Sequence, residues 1–64
     1  MRLQAIELDQ TIASAYGNRG SLYAQRGEYA AAKRDYQQAA QLYLAQDQQD
    51  DYLLMLELLR TLPN

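Results

Sequence analysis

Five positions, Tyr29, Ala32, Tyr36, Ala39 and Tyr43, recur at intervals of 3, 4, 3 and 4 residues. That spacing returns to the same side of an α-helix every turn, so these residues form one apolar stripe. Lys33, Arg34, Gln37, Gln38 and Gln41 fall largely off the stripe, and the segment reads as an amphipathic helix from about Tyr29 to Ala45. Tyr16, Gly20 and Tyr23 mark a second helical face upstream, in a segment running from about Ala13 to Arg26, with Ala15 and Leu22 on another face. Gly27 separates the two. With ten Ala, eleven Leu, nine Gln and no Val, the chain favours helix over strand throughout. The sequence therefore predicts an all-α fold.

A second regularity lies across these helices. "QAIEL" (Gln4 to Leu8) is echoed by "QAAQL" (Gln38 to Leu42), so that Ala5 matches Ala39 and Leu8 matches Leu42. A fixed period of this size is the mark of a stacked repeat. Together, Tyr16, Gly20, Tyr23, Gly27, Tyr29, Ala32, Tyr36, Ala39 and Leu42 resemble the tetratricopeptide repeat, a helix–turn–helix unit of about 34 residues. The resemblance divides the chain into three. Residues 1–10 are read as the tail of a preceding repeat helix, residues 11–46 as one full repeat, and residues 47–64 as a C-terminal capping helix. The fold it implies is a tetratricopeptide-like antiparallel hairpin with one additional helix. Because the chain opens inside a second helix of the pattern, it is expected to be excised from a longer protein.

Two departures from the family pattern stand out. Arg19 occupies a place where the family often has Leu, and its aliphatic stem is expected to lie over the neighbouring helix with its head in water. Gln10 and Leu44 stand where the family usually ends a repeat with Pro.

The glycines carry separate expectations. Glycine inside a helix costs roughly 0.5–1 kcal/mol relative to alanine. At Gly20 a close helix crossing, with Tyr16, Tyr23 and Tyr36 around it, is expected to offset that cost. Gly27 is expected to turn the chain at positive φ. Gly17 is expected only to leave room on an exposed groove face.

Members of the family bind peptides along the concave face of their first helices. The resemblance therefore implies a peptide-binding set of Ser14, Asn18, Ser21 and Gln25. Asn18 is the leading member, because its amide donates and accepts at once. Ser14 and Gly17 stand where a clamp for C-terminal carboxylates would need basic residues, which disfavours that ligand class. The implied function is a protein–protein interaction module with a protein or peptide partner.

A rival reading is structural. Tyr52, Leu54, Met55, Leu56, Leu58, Leu59 and Leu62 cover more than half of the last helix, about Asp50 to Leu62. One neighbour cannot cover so much apolar surface. Leu54, Leu58 and Leu62 are expected to pair two copies as a two-fold dimer, with Tyr52, Met55, Leu56 and Leu59 packing on the second helix.

Other functions find little support. A net charge of −2 with no basic cluster disfavours nucleic acid, and the tyrosines read as core rather than a base-stacking platform. No apolar run approaches the ~20 residues of a membrane span. "DQQDD" (Asp47 to Asp51) lacks the alternating ligands, glycine and closing Glu of a calcium loop, and reads as the turn before the last helix. Without His or Cys, and with no serine in a nucleophile motif, no catalytic site, metal site or cofactor is expected. A cytoplasmic location follows by default.

Overall fold

The computed structural model describes the backbone of residues 2–63 and the side chains of residues 12–63. Three helices follow one another: α1 (Arg2–Gln25), α2 (Tyr29–Ala45) and α3 (Gln49–Thr61). The described chain is all-α. The bounds of α2 coincide with those expected from the stripe, and the end of α1 and both ends of α3 fall within one residue of expectation. The boundary read at Gln10 is not a break in the backbone, because α1 runs through it without interruption. Neither Gly nor Pro lies between Arg2 and Tyr16, so nothing local ends a helix there. The side-chain matches of Ala5 and Leu8 lie outside the described residues.

α2 is the centre of the molecule: α1 and α3 both pack on it, and α3 also approaches α1 where Met55 lies over Gly17. Among the described residues, the core consists of Ala13, Ala32, Tyr36, Ala39, Ala40, Tyr43 and Met55. Small residues bring the backbones close, and tyrosine rings fill the remaining space. Gly20 is where this approach is tightest. A Cβ there would lie 2.9 Å from Cδ1 of Tyr36 and 3.2 Å from Cβ of Asp35, which accounts for the glycine. Tyr29 departs from its stripe: as the first residue of α2 it lies beyond the packed turns and is 38% exposed.

Both turns have the same hydrogen-bonded shape. After α1, the Gly27 N–H donates to the Ala24 carbonyl at 3.1 Å, and the Glu28 N–H to the Tyr23 carbonyl at 2.9 Å. After α2, the Asp47 N–H donates to Leu44 at 3.1 Å and the Gln48 N–H to Tyr43 at 2.9 Å. This is the Schellman closure, which needs a left-handed residue just past the helix. Gly27 supplies it at φ 81°, and Asp47 at φ 61°. "DQQDD" is thus the second turn running into α3, with Asp50 and Asp51 in the first helical turn, where carboxylates meet the positive end of the helix.

Candidate functional site

The side of α1 that carries Ser14, Asn18, Ser21 and Gln25 lies next to its inward strip of buried Ala13, Gly17 and Gly20 and partly buried Ala24. Residues at these three- and four-residue steps share one side of a helix. Two of the four are already engaged with α2. The Ser14 hydroxyl lies 3.3 Å from the Tyr43 hydroxyl, and the Ser21 hydroxyl 3.0 Å from that of Tyr36. The tyrosine rings are buried, 9% and 3% exposed, while their hydroxyls emerge between the helices to meet the serines. Asn18 and Gln25 are exposed and form no side-chain hydrogen bonds among the described residues.

This arrangement alters the expected site without dispersing it. Each serine–tyrosine pair uses one hydroxyl proton for its internal bond and leaves the other free, along with spare acceptor capacity. Asn18 therefore stands between two hydroxyl pairs that keep spare donor and acceptor capacity. Gly17 belongs elsewhere. It is buried, and its missing Cβ would sit 3.6 Å from Sδ of Met55, so it faces α3 rather than an open groove.

On the opposite flank the Arg19 head does not simply reach water. Its Nε donates to Asp35 Oδ2 at 2.7 Å and its Nη2 to Oδ1 at 2.9 Å, a two-pronged bond to a buried carboxylate. The guanidinium carbon also lies 5.5 Å and 5.8 Å from the ring centres of Tyr16 and Tyr23, within the range of cation–π attraction. These hydrogen bonds hold the Asp35 carboxyl below its ordinary pKa, outweighing the upward push of burial. Arg19 is raised in turn, first by the Asp35 hydrogen bond and then by its charge. The pairing was not legible in advance, because neither residue indicates a partner sixteen positions away.

The set expected for self-association divides differently. Leu54 is 51% exposed, whereas Leu58 and Leu62 are half-buried against the core. Met55 is the inward residue of α3, and Leu58 and Leu62, three and seven positions later, share its side. Tyr52 and Leu59 also pack on the core as expected. Leu56 does not, and is exposed together with Leu53.

Among the described residues, no cluster of His, Cys, Asp and Glu has metal-holding geometry. No described helix is long and apolar enough to cross a membrane. No curated protein and no solved structure matches the chain. The tetratricopeptide repeat family does match, over residues 3–34, which is half of the chain. The match takes in α1, the Gly27 turn and the start of α2, and leaves the rest of α2 and α3 beyond it. Its span contains Gly20, which lets the two helices cross, and Gly27, which reverses the chain between them. On that match and that hairpin, the chain belongs to the tetratricopeptide repeat family.

Proposed function

We propose that this chain is a non-catalytic interaction module that takes an extended peptide or partner segment along the Asn18 side of α1. The observation that carries this reading is the exposed Asn18 amide between the Ser14–Tyr43 and Ser21–Tyr36 hydroxyl pairs. An extended backbone presents alternating N–H and C=O groups, and Asn18 can serve one of each. Family membership supports the general role, since the family is a scaffold for protein–protein interactions. A peptide selected from a random library against the chain provides the probe. Asn18→Ala is expected to weaken its binding by about 1 kcal/mol, roughly fivefold, with an unchanged helical spectrum. Equal affinities for the two forms would place binding on another face.

A second reading is self-association through the outer side of α3. Leu53, Leu54 and Leu56, 58%, 51% and 39% exposed, favour it. Light scattering over a concentration series tests it, and a mass that stays at one chain throughout rules it out.

A further inference from the structure

The apolar surface of α3 has a counterpart at the other end of the helix stack. On α1, Ile12 is 44% exposed and forms a shallow hollow with Ala15, Tyr16 and Arg19. Tyr16 also borders a second hollow, which includes Arg34 and three glutamines of α2. Among the described residues, this end carries Arg19 and Arg34 against the buried carboxylate of Asp35. Arg19 has five N–H groups and commits two of them to Asp35, which leaves three for another acceptor.

At the opposite end, Asp50, Leu53, Glu57 and Arg60 run along the outer ridge of α3 at three- and four-residue steps, with Leu54 and Leu56 on either side. Asp50 and Glu57 outnumber Arg60 on this ridge. Glu57 is paired with Arg60 at 3.0 Å, but that contact is exposed on both sides and easily exchanged. One end thus offers leucines beside a carboxylate, and the other an apolar hollow beside a guanidinium with donors to spare.

We propose that copies of this chain associate head to tail, the outer ridge of α3 in one copy docking on the Ile12–Arg19 face of α1 in the next. This rests on the self-association reading and changes its geometry. A two-fold pairing of α3 with α3 lays one net acidic ridge on another, each with Asp50 and Glu57 against a single Arg60, and like charge against like is unfavourable. The α1 face places Ile12 and Ala15 under the leucines and Arg19 near Glu57. A heterologous contact of this kind leaves one unused face at each end of the assembly, so growth continues beyond two.

Two variants with exposed substitutions separate the geometries. Ala15→Glu blocks the α1 face, and Leu53→Lys blocks the α3 ridge; both positions are exposed, and circular dichroism checks that the helical fold is kept. In sedimentation over a concentration series, the unmodified chain is expected to rise in mass past two copies. Each variant alone is expected to associate at least tenfold more weakly. An equimolar mixture of the two is expected to form a dimer and stop there, because only one intact face of each kind remains. A plateau at two copies for the unmodified chain, with Ala15→Glu still dimeric and no rescue on mixing, would overturn the head-to-tail geometry while leaving self-association standing. A single-chain mass at every concentration would overturn both.

Discussion

A methyl group added at position 17 and one added at position 20 would meet different surroundings on the same helix. At Gly17 the new Cβ would touch only the flexible end of Met55, at 3.6 and 3.7 Å, which is ordinary contact. Gly17→Ala is therefore expected to stabilise the chain by about 0.5–1 kcal/mol through helix propensity and reduced freedom of the unfolded chain. At Gly20 the Cβ would fall 2.9 and 3.0 Å from two atoms of the Tyr36 ring. That ring is 3% exposed and its hydroxyl is bonded to Ser21, so it has little room to retreat. Overpacking of about 1–3 kcal/mol then exceeds the propensity gain, and Gly20→Ala is expected to lose about 1 kcal/mol net. Denaturation followed by circular dichroism checks both, and shifts in the same direction would defeat the close-crossing account. Gly20 and Gly27 were legible in the sequence because each marks its place by position in a short local pattern. Gly17 was not, because its neighbour Met55 arrives from the far end of the chain.

At the scale of the element, the two turns share one hydrogen-bond pattern but not one residue type. Gly27 adopts positive φ freely, whereas Asp47 does so against its own Cβ. Asp47→Gly is expected to relieve that strain and raise stability by up to about 1 kcal/mol, less what the more flexible unfolded chain takes back. A lower midpoint in urea would show that the Asp47 side chain contributes something its geometry does not reveal. The contact between α1 and α2 carries a pH dependence of its own. Asp35 has a lower pKa in the folded chain than in the unfolded one, where it titrates near 4, because Arg19 binds its charged form. The stability this supplies is complete above that value and is lost as pH falls through the lower folded value. Arg19, shifted upward, stays charged over the whole range and adds nothing to the acid limb. Asp35→Asn is expected to melt lower than the unmodified chain at pH 7, with the gap narrowing between pH 5 and pH 3. A constant gap across that range would remove the ion pair as its cause. The helix bounds of α2 were readable from its stripe and the preceding glycine, yet the continuity of α1 was not, since a repeat echo carries no information about whether the backbone breaks between copies.

Across the whole molecule, α2 packs against both other helices, whereas α3 is covered only along its Met55 side. Six residues of α2 are buried, Asp35 among them, against Met55 alone in α3. The candidate site follows the same division, since its two serines are tied to α2 by tyrosine hydroxyls from 29 and 15 positions away. Those ties could not be read from the chain, because a tyrosine on an apolar stripe does not disclose where its hydroxyl surfaces. Less burial means a smaller free energy to open locally, so α3 is expected to detach before the α1–α2 hairpin unfolds. Native-state hydrogen exchange measures this directly. Amides around Leu56 to Leu59 are expected to exchange at least tenfold faster than those around Tyr36 to Tyr43, a gap of about 1.4 kcal/mol. Equal protection of the two helices would mean that all three unfold as one unit. Concentration supplies the link to assembly. If copies dock through the outer ridge of α3, its exchange is expected to slow as concentration rises in the unmodified chain and to stay constant in Leu53→Lys, because only a docked α3 gains a second covered side.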